Sequence, residues 1–267
     1  MWLIDSSIGR KLVMSVSGLG LILFLTFHMA MNAVALFSGE GYNMVCEFLG
    51  ANWYALVATV GLAALVVVHI VYAFILQVQN LRARGNQRYA VTAKPKGVEW
   101  ASQNMLVLGI IVILGLALHL VHFWSKMQLT EILGGHEALV YEGLVIAPTN
   151  GAALIAYNFS QPLIVVLYVV WLAAIWFHLS HGFWSALHTI GWNGKNWLKR
   201  LECISNVYTT IIVLGFIAVP VLFFVQSLMD SNFVFEYIKS TLGEASIRIH
   251  KSEIIHNYYV KDRFKNS

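Results

Sequence analysis

Four histidines lie inside four different apolar stretches of this 267-residue chain: His28, His69, His119 and His178. An ionisable ring in a lipid-embedded helix is costly and by default marks a functional site. Depth sorts the four. At the helical rise per residue, His28 lies about 25 Å beyond Lys11 and His119 about 24 Å beyond Gln103. The second and fourth stretches run back toward the same side. There His69 lies about 12 Å before Gln77, and His178 about 15 Å before His188. Helical bundles build cofactor sites from facing residues of this kind, and neutral imidazole is a common axial ligand of haem iron. The residues therefore point to two ligand pairs, an outer one (His28, His119) and an inner one (His69, His178). The two haems would be offset by about 10 Å along the membrane normal. Zinc fits less well, because two separated pairs leave each ion short of ligands, with no Cys or carboxylate nearby.

The elements that must carry these rings are membrane spans. The chain is 58% hydrophobic and 11% charged, whereas soluble domains carry about 25% charged residues. Five stretches, 12–36, 53–77, 103–125, 161–187 and 206–229, reach the roughly 20 residues that cross a bilayer core. Backbone polar groups in lipid must be satisfied within the segment, so each stretch is expected to be a helix. The expected fold is an all-α integral membrane protein, a five-helix bundle over residues 1–229 that holds two haems. Residues 230–267 turn polar and form an extramembrane tail. The first stretch follows Arg10 and Lys11, lacks a small-residue cleavage site and carries His28, so it reads as a permanent span.

Loop charge gives the orientation. Arg82, Arg84, Arg88, Lys94 and Lys96 occupy the 78–102 loop, and Lys195, Lys199 and Arg200 the 189–205 loop. The 37–52 loop holds Glu40 and Glu47 without Lys or Arg, and 126–160 has Lys126 against Glu131, Glu137 and Glu142. Basic loops stay cytoplasmic. The N-terminus is then expected inside and the C-terminus outside a bacterial inner membrane. The net charge of +4 reflects these loops and the tail and is no nucleic-acid footprint; the 78–102 loop could also favour anionic lipid or an acidic docked subunit. Cys46 and Cys203 would lie on opposite sides and cannot pair, and no CxxC motif is present.

Other residues have plainer readings beside functional ones. His122 and His181 each follow a proposed ligand by three residues, nearly on the same helix face. Either is an alternative ligand, or a partner for a propionate, a quinone carbonyl or a loop. His188 reads as structural. Trp53, Trp100, Trp124, Trp184 and Trp192 fall at span ends, where an aromatic belt explains them. Gly18, Gly20, Gly61, Gly109 and Gly115 let helices approach closely or make room for a porphyrin. Ile132 to Gln161, with Gly134, Gly135, Pro148 and Gly151, reads as a long outer loop. Pro162 opens the fourth span, where its missing N–H does no harm, and Pro220 is expected to kink the fifth.

These residues carry a resemblance. FLTFHMAMN around His28, VVHIVYAF around His69, GIIVILGLALH ending at His119 and FHLSHGFWSA beginning at Phe177 resemble the dihaem cytochrome b anchor of succinate:quinone oxidoreductases. That family comprises succinate dehydrogenase and fumarate reductase. The chain is most similar to its single-subunit, five-helix kind over residues 8–228. The resemblance implies one haem ligand from each of the first four helices, at His28, His69, His119 and His178. It implies two haem b groups, menaquinone as substrate, and flavoprotein and iron–sulfur subunits docked on the cytoplasmic side. His119 lies ten residues after Gly109 and Gly182 four after His178, as the family's spacing has it; HFW at His122 also matches a ligand context. Some quinol-oxidising members carry a glutamate two residues before the fourth ligand as part of a proton path, and here that position is Trp176.

The expected function is electron transfer between an iron–sulfur subunit, two haems and quinone. This chain contributes no catalytic residue to the dicarboxylate chemistry, which falls to partner subunits because it carries no nucleotide-binding motif. Asn32, Glu47 and His122, near the outer end, are candidate quinone contacts. Two alternatives stand beside this reading. One is the cytochrome b of a hydrogenase or formate dehydrogenase, to which the pairs His119/His122 and His178/His181 on single helices speak. The other is a haem-free transporter using histidines as a proton relay.

Overall fold

The computed structural model describes residues 6–84, 100–192 and 194–242, apart from the side chain of Lys195. Arg88, Lys94 and Lys96, and the tail beyond Leu242, lie outside the described residues. Ten helices are present among them: α1 Ser7–Ala33, α2 Gly39–Phe48, α3 Trp53–Arg84, α4 Trp100–Gln103, α5 Met105–His119, α6 Gln128–Ile132, α7 Gly151–Phe159, α8 Pro162–Thr189, α9 Lys195–Met229 and α10 Phe233–Thr241. A 3₁₀ turn, Val34–Leu36, follows α1, and a π-helical turn, Leu120–Trp124, follows α5.

Among the described residues, five helical segments are long and apolar enough to cross a membrane: Ser7–Leu36, Trp53–Ala83, Met105–Trp124, Pro162–Thr189 and Asn196–Met229. The protein is thus a multi-pass membrane protein by length and composition. Exposure supports this. α3 leaves Val57, Val60, Val67, Val71, Phe74, Val78 and Leu81 exposed, and water-soluble monomers rarely tolerate so large an apolar face. All five spans were legible as apolar runs, but several helices extend past them: α1 begins at Ser7, α3 runs on to Arg84 and α8 to Thr189. α9 begins at Lys195 and not near 206, because the polar segment Asn196–Glu202 continues the helical hydrogen bonding outside the apolar run. Pro162 is the first residue of α8, and α9 runs unbroken through Pro220.

The chain divides into two compact units. The first comprises Met1–Ala30, Trp53–Leu116 and Leu167–Ile217. Its core packs Ile22 of α1, Leu172, Ile175 and Leu179 of α8 and Val213 of α9, bordered by Leu19, Val112, Trp171, Tyr208 and Phe216. Leu108 of α5 packs with Ala101 and Ala174. The Trp171 indole N–H donates to the Val112 carbonyl at 3.0 Å and lies across Gly115, where a Cβ would collide with the ring. Gly20 likewise faces Leu65. Small residues here allow close helix approach, as expected.

The second unit comprises Met31–Asn52, Ala117–Val166 and Ala218–Ser267. It shows that the segment expected as a long outer loop carries regular structure. The 126–160 segment holds α6, an antiparallel hairpin of β1 Leu139–Tyr141 and β2 Leu144–Ile146, and the buried helix α7. Glu142 (φ 48°) and Gly143 (φ 81°) turn the hairpin, as a two-residue turn with both central residues at positive φ requires. α10, the start of the segment expected as a tail, packs Val234 and Ile238 with Leu242 onto Ile146, Ala153 and Leu154. The 37–52 loop is largely α2, capped by the Ser38 hydroxyl, which accepts from the Gly41 N–H at 3.0 Å.

Candidate histidine site

Within the first unit, α3 and α8 bring His69 and His178 together. Their ring centroids are 6.4 Å apart, with 67° between the planes. The two residues are separated by more than a hundred positions, so this meeting is a product of tertiary packing. α1 seats the His69 ring. The buried Ser17 hydroxyl lies 3.1 Å from His69 Nδ1 and donates to the Met14 carbonyl at 3.0 Å. A Cβ at Gly18 would stand 3.3 Å from His69 Cε1. The glycine therefore lets the α1 backbone approach the ring closely. On α5, a Cβ at Gly109 would stand 3.9 Å from His178 Cε1. Gly61 and Gly182 face open space.

His178 Nδ1 is buried with no hydrogen-bond partner among the described residues. A buried polar atom left unsatisfied costs about 1–3 kcal/mol, so an imidazole in that state is suited to a ligand. Among the described residues, no group of three or more His, Cys, Asp or Glu could hold a metal ion. A two-imidazole arrangement instead suits an ion whose remaining positions come from a bound group. Metal–imidazole bonds are about 2.0–2.1 Å, so two rings sharing one ion would have centres within about 6 Å of each other. The observed 6.4 Å fits that spacing.

The other predicted ligands are placed differently. His28 stacks on Phe24 at 5.3 Å between centroids and tilts against Phe216 at 5.7 Å, all in the first unit. His119 falls in the second unit, as the last residue of α5, with its ring 5.3 Å from Phe123. The π turn starts at the next residue, and the Ser125 N–H bonds back to the Leu120 carbonyl at 2.8 Å. This wider turn rotates His122 less far round the axis than an α-helix would, which leaves it further from the face of His119. The expectation that His119 and His122 nearly share a face is corrected accordingly. Single π turns inside helices recur at functional sites.

His181 meets the Trp184 ring edge-on at 5.0 Å, and Trp184 meets His188 likewise at 6.4 Å. Trp184 therefore contacts two imidazoles as well as sitting near a span end. Trp176 donates its indole N–H to the Thr210 hydroxyl at 2.9 Å, so no titratable group occupies that position. Asn32 Oδ1 accepts the Tyr42 hydroxyl at 3.1 Å, whereas Glu47 is exposed on α2. Tyr42 and Cys46 are buried one turn apart on that helix; burial holds the phenol well above its ordinary value and pushes the Cys46 thiol up to about 12.

Sequence reasoning singled out the histidines but missed Ser17, whose signal was its place next to Gly18 on the helix that carries His28. No known family profile, curated protein or solved structure matches the chain.

Proposed function

We propose that the chain is a membrane-embedded cytochrome b that holds haem between His69 and His178. By resemblance it would hold a second haem with His28 and His119. It would anchor flavoprotein and iron–sulfur subunits of a succinate:quinone oxidoreductase on the cytoplasmic face of a bacterial inner membrane, with menaquinone as the lipid-soluble partner. The observation that carries the reading is the 6.4 Å spacing of the two imidazoles inside a helical, apolar first unit. The buried, unsatisfied Nδ1 of His178 and the glycines beside both rings support it.

The bound group would supply a one-electron ferric/ferrous couple within the membrane. The residues of this chain perform the remaining tasks. His69 and His178 offer uncharged nitrogen ligands from α3 and α8. Gly18 and Gly109 keep the flanks of the rings clear of side chains. Leu172, Ile175 and Leu179 on α8, the helix that carries His178, belong to the apolar core of the first unit, and an apolar shell around a site tunes its redox potential.

Purification of the chain with its native partners from membranes tests the reading. A Soret band with the α band of a b-type haem, together with co-purifying covalent or tightly held flavin, is the expected result. Nickel or molybdenum in the complex would instead indicate a hydrogenase or formate dehydrogenase cytochrome. Complete absence of Soret absorbance would contradict haem binding.

A further inference from the structure

From the Ser17–His69 contact we infer that Ser17 is a positioning residue. It locks His69 in the tautomer whose Nε2 carries the lone pair. The inference rests on the haem reading above and deepens it. Three atoms carry it. The Met14 carbonyl can only accept a hydrogen bond, and Ser17 Oγ, 3.0 Å away, donates to it. A hydroxyl has one proton. His69 Nδ1 lies 3.1 Å from the same Oγ. Both contacts are hydrogen bonds at once only if Nδ1 bears the proton and donates to Oγ. In a neutral imidazole the other nitrogen, Nε2, is then unprotonated and available to a metal.

The surroundings reinforce the lock. Ser17 is 3% exposed, so water does not compete for either bond. Gly18, the next residue, brings the α1 backbone against His69 Cε1. The Nδ1–Cε1 edge of the ring is thus held by two consecutive residues of a helix that is remote from His69 in sequence. An N–H donated by the non-ligating nitrogen fixes ring orientation and raises ligand basicity. The Ser17 hydroxyl therefore makes His69 a stronger electron donor than an imidazole without that bond. Greater basicity favours the ferric state, so Ser17 lowers the reduction potential of the bound group.

The tests use the full chain. In the haem-free protein in bilayers, the ¹⁵N signals of labelled His69 are expected to show a proton on Nδ1; a proton on Nε2 would overturn the inference. Titration of the haem-free protein with iron protoporphyrin IX is expected to show about 10- to 100-fold weaker binding for Ser17→Ala. The potential of the inner haem is expected to rise. Ser17→Thr retains the hydroxyl and is expected to restore both quantities. Equal losses in Ser17→Ala and Ser17→Thr would mean packing alone, and would overturn the inference. A wild-type chain that binds haem beside an indistinguishable Ser17→Ala overturns this inference while leaving the cytochrome reading in place. A wild-type chain that takes up no haem overturns both.

Discussion

Asn43 of α2 donates its side-chain amide to the Asn150 carboxamide oxygen at 2.9 Å, joining two helices more than a hundred residues apart in sequence. The same oxygen accepts the Ala153 N–H at 3.1 Å, so Asn150 also caps α7. Its Nδ2 reaches the carbonyl and hydroxyl of Thr241 at 3.3 and 3.2 Å, which ties in the end of α10. Asn43 completes the set by accepting the Ala152 N–H at 2.9 Å. One buried side chain thus satisfies groups from three helices of the second unit.

Asn150→Ala removes an N-cap and strands the buried Ala153 N–H and its half-buried partners Asn43 and Thr241. The expected loss is about 2–4 kcal/mol. Amide hydrogen exchange of α7 and α10 in the purified protein checks it, with faster exchange in both helices expected. Asn150→Asp retains the cap acceptor and loses only the donor to Thr241, so a smaller effect is expected.

Gly115 is held to its identity by Trp171. The indole that would meet a Cβ there is itself pinned by its bond to Val112, one turn earlier on α5. Gly115→Ala must displace the ring and break that bond. Overpacking of this kind costs about 1–3 kcal/mol, read as a lower thermal midpoint in detergent. An unchanged midpoint would show that the indole yields freely.

Cys46 gives a pH-dependent signature. Burial is the largest cause of its rise from the ordinary thiol value to about 12, and Cys203 is exposed. In the folded protein at pH 8, maleimide is expected to label Cys203 and spare Cys46 until denaturant is added. The sign for stability follows from the raised value. The folded state holds its proton more tightly than the unfolded chain, so stability is intact below pH about 9. It falls as pH climbs toward about 12. Unfolding midpoints measured between pH 7 and 11 are expected to decline at the alkaline end, and less so in Cys46→Ala.

The sequence displayed the spans and the histidines because lipid imposes a long apolar run and makes each ionisable residue within it conspicuous. It displayed the second unit poorly. The hairpin at 139–146 has only three residues per strand, and its Glu142–Gly143 turn is weaker punctuation than Asn-Gly or Asp-Gly. α7 is short and nearly all buried, so it shows no polar face to set a helical period. Ser17 was hidden for another reason. Its meaning depends on which ring α1 meets, and that is decided by packing and not by local pattern. The π turn after His119 is equally silent in the sequence, although it governs which way His122 points.

The most direct test of the central claim is the haem content of purified His69→Ala and His178→Ala, measured by reduced-minus-oxidised spectra and the haem-to-protein ratio. Each variant is expected to lose the same haem, the inner one, and to keep most of the other, because the two imidazoles serve one iron. Haem content unchanged from the wild type in both variants would contradict the claim.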